Sequence, residues 1–427
     1  MKKYDTYKDS GIQWIGQVPE HWTTFPLSKY IALQKGRKPE ELTTEGGGLP
    51  YVTMDYLRGR ENTTCQYPVS VENLISIDEN DLLLLWDGAN AGEVVKAKKG
   101  YLASTMAVLR FADKIGSSQF LFYYLKSLET IFKTFANGTT IPHFDSSVLF
   151  DYKYPLPPLS EQQAIADFLD KKTGEIDKAI SLFEQEKLDL LAYRKAIISE
   201  TVTKGLNPNA KLKDSGIQWI GQIPEEWSVK RLKHFVSLLT DGTHQTPTYI
   251  EEGVPFISIK DISSGKIDFS DVKYISNEEH LELQSHAPIE KGDIIFTRIG
   301  TLGVFVKVDT DRVFDIFVSV GLIKLIPNTI NTDYLVYYLS SDMIKEYISF
   351  TKVGEGTSAP KINLTSARNM PIITPSLAEQ EAIANFLNKK TSDIDTAIER
   401  IKTQITELQT YRTALISEAV TGKIDVR

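Results

Sequence analysis

Two short runs carry side chains suited to gripping a polyanion. The first is Lys35-Gly36-Arg37-Lys38, in which Lys35, Arg37 and Lys38 form the sharpest local basic cluster. The second, Thr243-His244-Gln245-Thr246, occupies the matching place in the other half of the chain. Cations neutralise phosphates, and hydroxyl, amide and imidazole groups add hydrogen bonds to phosphates or base edges. Arg298 closes an expected strand just before Ile299-Gly300-Thr301. An arginine there suits bidentate recognition of guanine, with Thr301 beside it; the alternative is a salt bridge at a sheet edge. The matching segment of the first half reads Trp86-Asp87-Gly88-Ala89-Asn90, with Asp in place of the arginine. Asn90 suits adenine, whereas Trp86 suits a core more than a stacking platform. Two further segments, Gly138-Thr139-Thr140-Ile141-Pro142-His143 and Gly356-Thr357-Ser358-Ala359-Pro360-Lys361, offer Thr139, His143, Thr357 and Lys361.

Catalytic and metal chemistry find little support. His280 and His286 do not suit one shared metal site, and the single cysteine, Cys65, forms neither a disulfide nor a zinc cluster. The only Pro-Pro pair reads Leu156-Pro157-Pro158-Leu159, which is not an amino-methyltransferase motif. Asp170-x-Lys172 resembles part of a nuclease signature but falls on an expected long helix. The chain therefore reads as non-catalytic, metal-free and without a cofactor of its own. It lacks a secretory signal and a membrane span, so a cytoplasmic location is expected. A net charge of −8 disfavours nucleic-acid binding as a total, yet an acidic outer face can coexist with a basic groove.

These groups are positioned by a unit written twice. Asp9-Ser10-Gly11-Ile12-Gln13-Trp14-Ile15-Gly16-Gln17 recurs from Asp214 to Gln222, at an offset of 205. Glu161-Gln162-x-Ala164-Ile165-Ala166-x-Phe168-Leu169 recurs from Glu379, now at an offset of 218. Between these blocks the halves diverge, and the second is 13 residues longer. The second block opens a long helix, with Ser160 and Ser376 as cap candidates. Leu169, Ile176, Ala179, Phe183, Leu190 and Ile197 recur near heptad spacing, as do Leu387, Ile394, Ala397, Ile401, Leu408 and Leu415. Each helix makes a rod of roughly 65 Å and must pack, most economically on its twin. Tyr193-Arg194 and Tyr411-Arg412 occupy equal places and suit helix–helix or partner contacts. If the chain's end returns to its start, each helix leads into a Trp-Ile-Gly block, giving a cyclic pseudo-two-fold arrangement.

Taken together, the Gly-Ile-Gln-Trp-Ile-Gly blocks, the Pro-Leu-Ser-Glu-Gln-Gln helix start, the Gly-Thr-x-x-Pro segments and Asp241-Gly242-Thr243-His244 resemble the specificity subunit of Type I restriction-modification systems. The resemblance covers the whole chain. It implies an α+β fold: two mixed α/β target recognition domains separated by two long antiparallel helices, related by a pseudo-two-fold repeat. The corresponding divisions are residues 1–155 and 205–372 for the recognition domains, and 156–204 and 373–427 for the spacer helices. It also implies double-stranded DNA as ligand, two adenine-methyltransferase subunits and nuclease-translocase subunits as partners, and S-adenosylmethionine as the methyltransferase partner's cofactor. Such a system serves defence against phage.

Overall fold

In a computed structural model of the chain, the described residues are 2–59, 64–112, 116–134, 143–151, 153–354 and 359–427, without the side chains of 148 and 151. The chain forms two compact units, residues 1–183 with 402–427 and residues 184–401. Each contains one head and a portion of each of two long helices, Leu159–Lys204 and Leu377–Val420.

The first head is built on a four-stranded sheet in the order Val94–Lys96, Leu82–Leu85, Met106–Phe111, Ile31–Lys35. Leu82–Leu85 is a continuous leucine run because both of its faces are covered. Leu82 and Leu84 point into the core beneath the helix Ser118–Thr134, and Leu83 and Leu85 into a second core beneath a three-stranded sheet. This is the two-residue alternation of a strand, with apolar contact on both sides. The second head repeats the sheet as Phe305–Lys307, Ile294–Thr297, Val320–Leu325, Val236–Asp241. Ile294 and Phe296 face one core and Ile295 the other.

Two of the differences between the heads lie in their described strands and helices. In the first, Ser76–Ile77 pairs with Gly100–Leu102, whereas in the second, Lys273–Ile275 pairs with Val254–Ile257, on the other member of the parallel pair. The second head's helical stretch is also split, into Thr332–Leu339 and Asp342–Thr351, where the Ser341 hydroxyl donates to the Tyr338 carbonyl.

The long helices run antiparallel. In the first unit Leu169 and Ile176 share a core with Leu415 and Ile416; in the second, Ile198 and Val202 pack with Ile383 and Leu387. The seam is uneven. Ile394, Ile398, Ile401 and Ile405 are buried, but Phe183, Leu190 and Ile197 are only half-buried. The cap at Ser376 forms, its amide and hydroxyl bonding Glu379 Oε2 at 3.1 and 2.8 Å. Ser160 is not a cap. The first helix has already begun at Leu159, the Pro158 carbonyl accepts from the amides of Glu161 and Gln162, and Gln163 turns to Asp167. By the offset of 218, Pro158 stands where Ser376 does, so the first copy has no side-chain cap to offer. Gly422 lies against Pro19 and Trp22, and the Asp425 amide donates to the Lys2 carbonyl, so the end of the chain does return to its start.

Candidate nucleic-acid interface

The frame holding the heads is the same set of bonds made twice. Buried Trp22 and Trp227 each donate an indole N–H to a glutamate on the first turn of a long helix, Glu161 and Glu379, at 3.2 Å. The next residue, Gln162 or Gln380, donates to a proline carbonyl at 2.9 Å and accepts a head amide at 2.8 Å. The Tyr123 hydroxyl bonds Asp170 and Thr173, as that of Tyr337 bonds Asn388 and Thr391. Asp170, noted for its likeness to a nuclease acid, is thus a helix anchor. Burial pushes the Tyr123 hydroxyl above its ordinary pKa, and the bond to Asp170 adds to that. Arg194 pairs with Asp395 and Arg412 with Asp177, each at 3.0 Å and each within one unit. Beside them Tyr193 and Tyr411 stay exposed.

On the heads, corresponding strands end in charged clusters of different composition. The strands Ile31–Lys35 and Val236–Asp241 are each followed by a glycine, because a neighbouring chain crosses there. A Cβ on Gly36 would lie 2.2 Å from the Ala103 carbonyl oxygen, and one on Gly242 1.9 Å from that of Ile316. Lys35 and Asp241 are therefore structural equivalents. Arg298 is the equivalent of Trp86, not of Asp87. Phe144 N–H donates to the Trp86 carbonyl as Ile362 N–H does to that of Arg298, and Asp87 bridges His143 as Ile299 bridges Lys361. The sequence comparison was one residue out of register here, because no residue identity in the strand ends marks the step.

In the first head the Lys35 ammonium sits 5.3 Å from the Trp86 ring centroid and 3.1 Å from Asp87 Oδ2, while His143 Nδ1 lies 2.6 Å from Asp87 Oδ1. Trp86 is half-buried and packs edge-on against Phe144. In the second head Arg298 Nη1 lies 2.7 Å from Asp241 Oδ2, with the two side chains 12% and 8% exposed. That is the salt-bridge alternative for Arg298, although the pair is buried rather than at an open edge. Arg298 also donates to the Val318 carbonyl. His244 and His286 approach the same aspartate at 3.2 and 3.9 Å. Asp87, which by type could accept from cytosine, is engaged by Lys35 and His143 instead. The pairing of Asp241 and His286 with this cluster was not expected from the sequence, where only the Asp241-Gly242-Thr243-His244 run pointed to the first of them.

Arg37, Lys38, Asn90, Gln245, Thr246, Thr301 and Lys361 are exposed on these same heads. Thr243 is fixed by backbone bonds to Ile316 and Val318, and its hydroxyl accepts from the Gln245 amide. Thr139 and Thr357 lie outside the described residues. His280 is paired with Asp315 at 2.6 Å, apart from His286, which meets Thr240. Among the described residues no group of His, Cys, Asp and Glu is arranged to hold a metal ion. No described helix is long and apolar enough to cross a membrane.

The sequence pattern of the Type I restriction modification DNA specificity domain matches residues 19–183 and again 224–407. The Type I restriction enzyme MjaVIII specificity subunit of Methanocaldococcus jannaschii is 32% identical over 421 residues, covering 96% of this chain and 95% of its own. The EcoKI specificity subunit of Escherichia coli K12 is 23% identical, covering 96% and 90%. Among solved structures, one chain from a study of assembly and conformational transition in the type I R-M system aligns with a TM-score of 0.71 at 15% identity, covering 95% of this chain and 99% of that one. The HsdS subunit of Thermoanaerobacter tengcongensis aligns at 0.51 and 16%, covering 95% and 98%. These two show the likeness of fold. The chain belongs to the Type I restriction-modification DNA specificity family, as a DNA-recognition subunit that is not itself an enzyme.

Proposed function

We propose that each head reads one part of a split DNA sequence and that the paired helices fix the gap between the parts. The observation carrying this reading is the contrast between frame and heads. The frame repeats its bonds almost atom for atom. The strand ends, at equal places, carry Lys35, Trp86, Asp87 and His143 in one head and Asp241, Arg298, Ile299 and Lys361 in the other. A constant frame suits two copies of one partner, and unlike heads suit two different ligands.

Lys35, Arg37, Lys38, Asn90, Thr139 and His143 are the proposed DNA contacts of the first head. Those of the second are Thr243, His244, Gln245, Thr246, Thr301, Thr357 and Lys361, while Arg298, suited by type to guanine, is instead held by Asp241. Two adenine-methyltransferase subunits dock on the helical frame, with Tyr193, Arg194, Tyr411 and Arg412 in the contact. Those subunits bind S-adenosylmethionine and extrude the target adenine from the duplex, and nuclease-translocase subunits join for cleavage. The assembly works in the cytoplasm. Replacing residues 23–154 with the head of a different family member tests this: one part of the recognised sequence changes and the other stays. A change in both parts contradicts it.

A further inference from the structure

The duplicated frame has one position filled in the first unit and open in the second. In the first unit the Glu161 side chain is 4% exposed. It receives the Tyr4 hydroxyl, His21 Nε2 at 2.8 Å and Trp22 Nε1 at 3.2 Å, with Arg427 Nε at 4.0 Å. The Arg427 guanidinium lies over the Tyr4 ring, 4.9 Å from its centroid. Asp425 holds that arginine, and the bond drives the Asp425 carboxyl down to about 2. These groups come from the two ends of the chain, which meet at this point.

In the second unit Glu379 occupies the place of Glu161 and keeps the indole bond from Trp227, yet it is exposed. By the offset of 205, Asn209 stands where Tyr4 does and Glu226 where His21 does. Here the helix passes to the next block through one continuous linker, so the single residue Asn209 stands at the places of both Tyr4 and, by the offset of 218, Arg427, and supplies neither ring nor guanidinium. A cavity of about 300 Å³ remains, lined by Trp227, Glu225, Glu226, Glu379, Asn209 and Lys211.

We propose that this cavity is a socket for a partner-protein segment that presents an arginine beside an aromatic ring, bound once per chain. The occupant is defined by what fills the twin: a ring against the buried indole and a guanidinium near the helix-start carboxylate. Three glutamates in the lining favour the cation, and a charge-assisted bond to Glu379 is among the stronger polar contacts. Lys204 and Lys211, which line the same cavity, set a preference for a segment that also carries a carboxylate, as Asp425 accompanies Arg427.

The test titrates acetyl-Tyr-Gly-Arg-amide against the full chain without DNA, followed by NMR of the peptide, with the Gln analogue of its arginine as control. The expected dissociation constant is about 1 mM. Glu379→Gln removes the charge and leaves a single carbonyl oxygen to serve either the Ser376 cap or the Trp227 indole, and should weaken binding about tenfold, as should the Gln analogue of the peptide, which leaves the chain itself unchanged. Asn209→Tyr, which supplies the missing ring internally, should abolish binding and raise the melting temperature. Equal binding by the wild type and Glu379→Gln, or no binding to the wild type at about 10 mM, overturns the socket. So does an Asn209→Tyr chain that is stabilised and still binds the peptide. Because DNA is absent throughout, these outcomes are separate from any failure of the DNA-reading proposal.

Discussion

Substituting Asp241 by Ala should separate a buried ion pair from its exposed counterpart in the other head. Arg298 is 12% exposed, its Nη1 lies 2.7 Å from Asp241, and its Nε has no partner among the described residues. Removing the carboxylate strands a guanidinium in a poorly solvated site, with the Val318 carbonyl at 3.2 Å as its remaining acceptor among the described residues. Breaking a buried pair on one side costs about 3–5 kcal/mol. In a unit of this size that corresponds to a fall of roughly 10 °C in the transition of the second unit. In the first head Lys35 is 45% exposed, so Asp87→Ala should cost under about 1 kcal/mol. Replacing both partners, Asp241→Leu with Arg298→Met, should return to within about 1.5 kcal/mol of wild type, since an apolar pair of similar bulk leaves no stranded charge. Urea titration of the full chain, with probes reporting each unit separately, measures all three. Equal losses for Asp241→Ala and Asp87→Ala, or a double variant as unstable as Asp241→Ala, would refute the assignment of Arg298 to a buried pair.

Other consequences concern the frame and the heads. Glu161→Ala leaves the Tyr4 hydroxyl and the Trp22 indole without an acceptor in a buried site and should cost about 3 kcal/mol. Glu379→Ala loses an exposed cap and one indole bond, and should cost nearer about 1 kcal/mol; thermal unfolding distinguishes the two. Arg37→Ala and Lys38→Ala should each flatten the dependence of log K on log salt by about 0.9 if they neutralise phosphates, measured on the complex with its methyltransferase partner. An unchanged slope removes them from the interface. Inserting four residues into one long helix adds about 6 Å, so the preferred gap between the two parts of the DNA site should change.

The frame was legible in the sequence because it repeats. Two runs of near-identity marked the Trp-Ile-Gly block and the helix start, and their offsets alone located the inserts. The long helices and their need to pack followed from the heptad leucines and isoleucines, and their antiparallel run from the family resemblance. What the residues hid was set by partners remote along the chain. Asp241 and Arg298 meet only because their strands flank a common neighbour in one sheet, and nothing local to either says so. The same remoteness put the equivalence of Trp86 and Arg298 one residue out, since it depends on the chain that crosses at Phe144 and Ile362. Ser160 misled for a simpler reason: a serine ahead of a Gln pattern looks like a cap, but the Pro157-Pro158 pair starts the helix earlier.

The central claim is that one chain specifies two separate stretches of DNA. Long-read sequencing that reports adenine methylation, in a host carrying this chain with its partner subunits, tests it most directly. The expected result is a single motif of two defined parts split by a fixed number of unspecified bases, with a methylated adenine in each part. A continuous motif, or a gap that varies from site to site, would contradict it.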